Sequence, residues 1–151
     1  MNNKSKKGFT LIEVLIVIAI IGILAAVTIV AINPARQFAQ ARNSQRSSGV
    51  NTILNAVWQY AVDSNGNLPS TILSLASSTM TEICQTGASS CAGFVDLSVL
   101  TFEERYLVQL PVDPTCATAN STCYWLSRSA NNRVTVNASS SELSVIIQVT
   151  R

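Results

Sequence analysis

Residues 14–32 form an uninterrupted uncharged run, all Ile, Leu, Val or Ala apart from Gly22 and Thr28. At about 1.5 Å per residue, a helix over those positions spans about 28 Å, close to the ~30 Å hydrocarbon core of a bilayer. Glu13 immediately precedes this run, just inside the start of the longer apolar stretch that opens at Phe9. A carboxylate is expensive in hydrocarbon, so its presence there asks for a partner or a function.

Three readings compete for the first 32 residues. A secretory signal peptide has a basic start, 7 to 15 apolar residues and a small-residue cleavage site. Here the apolar run is too long, and Asn33-Pro34-Ala35 is a poor exit. A plain membrane anchor fits the length but leaves Glu13 unexplained. In the third reading a short basic leader is cut before the run, between Gly8 and Phe9. The cut creates an α-amino group with a pKa of about 8, mostly cationic at neutral pH. In a bundle of such helices the carboxylate of one copy can then pair with the amine of a neighbour, so that only correct docking neutralises it. Thr10 and Glu13 also match a T-x-x-E capping box, which by itself accounts for an acid at a helix start.

Charge is distributed to match the third reading. All the lysines, Lys4, Lys6 and Lys7, precede Gly8, and a cut after Gly8 leaves seven basic and eight acidic side chains. With no lysine beyond that point, the mature part offers no ammonium for isopeptide cross-linking. The net charge of +2 gives no reason to expect nucleic acid as an obligatory partner. The remainder is rich in Ser, Thr and Asn, as suits a wall-exposed or extracellular domain.

The basic leader, Gly8, the Phe9-Thr10-Leu11-Ile12-Glu13 start and the apolar helix together resemble the type IV filament family, that is, type IV pilins and type II secretion pseudopilins. The resemblance covers residues 6–26. It implies that a prepilin peptidase cuts after Gly8 and N-methylates Phe9, and that Glu13 serves subunit docking. It also implies a single-pass protein of the cytoplasmic membrane that becomes an extracellular homo-oligomeric filament, with an assembly platform and ATPase machinery as partners. Gly22 matches a glycine where such helices loosen in the filament, or simply one that permits close helix packing. Many family members carry a proline eight residues after that glycine; here Val30 takes the place, and the proline is Pro34. A bend or melted stretch is therefore expected nearer residues 30–34.

Beyond Pro34 the helix is expected to continue to about residue 62. Val50, Ile53, Leu54, Val57, Trp58 and Ala61 recur at three and four, an amphipathic stripe. Residues 40–49, with Arg42 and Arg46, read as polar all round, exposed or satisfied by neighbouring subunits. Residues 63–69 end the helix with turn chemistry. Short helices are expected within residues 70–80 and 101–111, the latter opened by a Thr101/Glu104 capping box. Three strands follow, within residues 123–127, 133–138 and 142–150, with a turn at 129–132. The fold class is α+β: a long N-terminal helix and a small antiparallel sheet head, pilin-like. The expected divisions are a leader (1–8), a hydrophobic transmembrane and assembly helix (9–33), an amphipathic second half (34–62) and a globular head (63–151).

Cys84, Cys91, Cys116 and Cys123 form two C-x6-C pairs. Zinc sites use closer spacing, and the chain has no histidine. Of three possible connectivities, proximity favours Cys84–Cys91 and Cys116–Cys123, which places the head on the oxidising side of the membrane. The segment from Leu110 to Asp113 and the strand after Cys123 also resemble the lead into the sheet of many pilins and pseudopilins. Asp113 invites a calcium hypothesis, but one nearby carboxylate is thin for six to eight oxygens, and turn chemistry with Pro114 is the simpler reading. No metal ligand set or cofactor site is expected.

An enzyme is disfavoured by the lack of histidine, of a nucleophile elbow and of a phosphate-cradling glycine loop. Asn120 and Asn137 match glycosylation triplets, which arise by chance in such a composition. Arg128, Arg133 and Arg151 are candidates for a basic patch on the sheet that would meet DNA, against the simpler reading of solvated strand edges, and Tyr124-Trp125 reads as strand packing. The expectation is a structural subunit of a type IV pilus-like filament serving adhesion, motility or DNA uptake. The alternative is a secretion pseudopilin, and more remotely a monomeric membrane-anchored extracellular domain.

Overall fold

A computed structural model describes residues 8–151. The chain divides into an N-terminal unit ending at Phe38 and a head, Ala39–Arg151. The fold is α+β. Helix α1 (Leu11–Ile32) begins on a Thr10 cap and is long and apolar enough to cross a membrane. It stops at Asn33, which takes a left-handed conformation (φ 48°, ψ 79°). Asparagine tolerates that region better than most residues. Helix α2 (Pro34–Asp63) starts at once, with Pro34 in its first turn, where a missing N–H costs nothing. The bend expected near residues 30–34 is thus a one-residue break between two helices, fastened by Arg36 N–H donating to Asn33 Oδ1 at 3.3 Å.

In the head, Val50, Ile53, Leu54, Val57 and Ala61 of α2 are buried, with Trp58 packed at the margin. The stripe read from the sequence is the core stripe, and each such side chain contributes about 1.5–3 kcal/mol by leaving water. It forms one cluster with Tyr124, Leu126, Val134, Val136, Ala138 and Ile147 of the sheet. The sheet has four antiparallel strands in sequence order: β1 (Thr81–Cys84), β2 (Ser121–Arg128), β3 (Val134–Ala138) and β4 (Ile147–Thr150). Asn132 at φ 60° and Ser129 N–H bonded to the Arg133 carbonyl make the expected β2–β3 turn. Gly49 lets β2 approach α2: a Cβ there would lie 2.5 Å from the Tyr124 hydroxyl oxygen.

Four details differ from the sequence reading. Strand β1 was not expected; it is short and bulged between Glu82 and Cys84, where the Cys84 N–H turns to the Val95 carbonyl. Helix α3 covers only Ser70–Leu73. The helix expected from Thr101 is instead ending there: α4 is Ser98–Thr101, and the Thr101 hydroxyl bonds back to the Ser98 carbonyl rather than capping forward. A 3-10 turn, Phe102–Glu104, follows, with Glu103 and Glu104 left-handed. Finally, β4 begins at Ile147 rather than near residue 142, because Glu142 is held by α2 and Leu143 and Ser144 are left-handed.

Candidate assembly site

The start of α1 is a closed capping box. Thr10 Oγ1 accepts the Glu13 N–H at 3.3 Å, while Glu13 Oε2 accepts the Thr10 N–H at 2.8 Å and the Thr10 hydroxyl at 2.9 Å. Two orphan donors of the first turn are thereby satisfied. Capping occupies one carboxylate oxygen of Glu13 and leaves Oε1 without a partner among the described residues. Capping and pairing with a neighbour's amine are therefore compatible roles for one side chain.

Phe9 is 89% exposed, and every residue of α1 is exposed. A helix apolar on all faces with none of them buried is suited to lipid or to copies of itself, not to water. Gly8 and Gly22 are in open space, since a Cβ added at either meets nothing within 4 Å. Nothing inside the described chain requires glycine at these two positions. Lys4, Lys6 and Lys7 lie outside the described residues.

A second constellation was not read from the sequence. Arg46 of α2 is fully buried, as is the Asp113 side chain opposite it. Arg46 Nε donates to Asp113 Oδ2 at 2.7 Å and Nη2 to Oδ1 at 3.3 Å, a two-pronged pair. Its remaining donors reach Thr115 Oγ1 (2.9 Å), Asn43 Oδ1 (3.0 Å) and Glu142 Oε2 (3.2 Å). Arg42 closes on Glu142 through Nε and Nη2, both at 2.8 Å, and Asn43 exchanges two bonds with the Glu142 backbone. Burial pushes the Asp113 carboxyl up, but hydrogen bonds from Arg46 and Thr115 outweigh it and hold the group below the usual carboxylate range. The Arg42 guanidinium likewise lowers Glu142. Burial, aided by the Asp113 charge, pushes the Tyr124 phenol up to about 12.

This corrects the reading of residues 40–49 as exposed or satisfied by neighbours: Arg42, Asn43 and Arg46 are satisfied by their own head. It also disposes of Asp113 as a cation ligand, because Arg46 and Thr115 take both of its oxygens. Asp113 nonetheless makes the expected turn, its carbonyl accepting the Cys116 N–H at 2.9 Å. The structure pairs Cys84 with Cys91 and Cys116 with Cys123. Asn120, inside the second loop, accepts the Ser89 N–H and hydroxyl of the first, so the two loops are joined. Of the three arginines considered for a basic patch, Arg128 bonds the Leu75 carbonyl and Asn132, and Arg151 bonds Asn55. Tyr124 packs inward, and Trp125, on the opposite side of the strand, is half-buried.

Residues 3–29 match the prokaryotic N-terminal methylation motif. No curated protein and no solved structure matches the chain. In this motif the chain is type IV prepilin-like, which implies in general processing by a prepilin peptidase and assembly into a filament.

Proposed function

We propose that this chain is the structural subunit of a type IV pilus-like filament. The observation that carries the reading is a methylation motif placed on a helix whose apolar side chains are all uncovered. Residues 1–8 are the leader, removed between Gly8 and Phe9, and Phe9 is then N-methylated. The new α-amino group is the cation for Glu13 of a neighbouring copy. Residues 9–33 anchor the subunit in the cytoplasmic membrane before assembly and form the filament spine afterwards. Gly22 and the Asn33-Pro34 break supply points where packed helices approach or bend. The filament does no chemistry of its own; its ATPase machinery supplies the work, and adhesion, motility or DNA uptake is its use.

The test is Glu13→Ala alongside Glu13→Gln, which keeps a cap acceptor without the charge. Both variants should be processed in the membrane, and both should assemble poorly. Normal filament yield from either removes the docking role. A short periplasmic assembly from the wild-type chain, in place of a surface filament, would assign it to the secretion pseudopilins instead.

A further inference from the structure

Three carboxylates of the head are compensated within it, whereas Glu82, Asp96, Glu103 and Glu104 make no ion pair among the described residues. Asp63, Asp113 and Glu142 each face an arginine. Arg105 is engaged twice, with Nη2 3.3 Å from Asp63 and its guanidinium carbon 5.4 Å from the centre of the Tyr106 ring. Its two neighbours, Glu103 and Glu104, are exposed and make no ion pair among the described residues. Both are left-handed, at φ 53° and 56°, a conformation that strains any residue with a Cβ. The turn is pinned by Arg105 N–H to the Phe102 carbonyl (3.2 Å), Leu107 N–H to the Leu100 carbonyl (3.1 Å) and the Tyr106 hydroxyl to Asp63 (3.0 Å). Phe102 is turned out, 68% exposed. A strained, anchored turn therefore presents an aromatic ring beside two uncompensated negative charges.

The N-terminal unit carries the complementary order of residues. Val30 and Ile32 at the end of α1 are exposed, and Arg36 follows one turn later, exposed and without an ion pair among the described residues. A helical polymer is held by contacts between two different patches of the same chain. An acidic patch repeated on every copy is then best covered by a basic patch that is also on every copy. Arg133 is likewise unpaired, but the residues before it, Ala130, Asn131 and Asn132, offer no large apolar surface for Phe102. An anionic membrane surface would repel the glutamates.

We propose that the turn Phe102–Glu104 of one copy docks on residues 30–36 of another, with Glu103 and Glu104 facing Arg36 and Phe102 covering the apolar end of α1. The contact rests on the filament reading and adds a second specificity element to it, separate from Glu13.

The experiment uses the full chain in cells that assemble it and compares Arg36→Glu, Glu103→Arg/Glu104→Arg, and all three together. Sheared filament yield is measured against the amount of processed, disulfide-bonded subunit, which the surface changes should leave unaltered. Each reversal should lower yield about tenfold, and the combination should restore it to within about twofold of wild type. An Arg36→Cys/Glu104→Cys pair should form cross-linked dimers in intact filaments, and neither single variant should. The contact is overturned if the single reversals assemble normally, if the combination is no better than its parts, or if Arg133→Glu rescues in place of Arg36→Glu. It is also overturned if the cysteine pair fails to cross-link. Absence of filaments from the wild-type chain would instead sink the filament reading, and this contact with it.

Discussion

Asp113→Ala should be among the most damaging single changes in the head. It leaves Arg46, which has no exposed surface, facing only Asn43, Thr115 and one oxygen of Glu142. Breaking a buried pair by removing one partner costs about 3–5 kcal/mol, chiefly because the other charge stays buried. The surviving Glu142 contact argues for the lower end, about 3 kcal/mol, still a large part of the ~5–15 kcal/mol that holds a typical domain together. Removing both charges is a different perturbation. Arg46→Met with Asp113→Leu exchanges the pair for apolar volume and should cost less than Asp113→Ala alone, about 1 kcal/mol or less. The assay is urea unfolding of the full chain in detergent micelles, followed by fluorescence of Trp58 and Trp125, which belong to the head. A loss under about 1 kcal/mol for Asp113→Ala, or a double variant worse than the single, would refute the reasoning from burial.

Further expectations follow from the same packing. Gly49→Ala drives a methyl into Tyr124 and should destabilise the head by about 1–3 kcal/mol despite the better helix propensity of alanine. Adding Tyr124→Phe, which removes the nearest atom, should recover part of the loss in the same urea titration. Gly22→Ala, in open space, should leave helix content by circular dichroism unchanged or raised, so any assembly defect would come from contacts with neighbouring copies. Stability should also depend on acid. Asp113 and Glu142 both titrate below their ordinary range when folded, so their contribution is full above about pH 5 and is lost as pH falls through the folded values. Urea midpoints should be flat from pH 8 to about pH 5 and fall below it, and the fall should shrink in Asp113→Ala.

What could be read from the sequence was what has a period. The apolar residues of α2 repeat at three and four, and β-branched and aromatic runs bounded by turn residues mark β2, β3 and β4, so the helix, its core stripe and three of the four strands were visible. The helix break was visible too, because proline fixes its own backbone angle and asparagine tolerates the left-handed one at the break. Arg46 was missed because its burial depends on Asp113, 67 residues away, which no local pattern announces. A signal was nonetheless present: Ala39, Asn43, Arg46 and Val50 continue the helical stripe backwards at spacings of three and four, and all are buried. A polar residue standing in an apolar register asks for a buried partner rather than for solvent. The Phe102–Glu104 turn was misread for the opposite reason. A capping-box pattern at Thr101 is local, and it yielded to a tertiary arrangement in which Leu100 is buried and Tyr106 and Arg105 reach Asp63.

The central claim is that Glu13 meets an amine created by cleavage, and the most direct test is the intact mass and N-terminal peptide of the protein from its native membranes. The account predicts a mature chain beginning at N-methylated Phe9. A chain still beginning at Met1 or Asn2, in cells with active prepilin peptidase, would contradict it. Glu13 would then be only the helix cap of an ordinary membrane anchor.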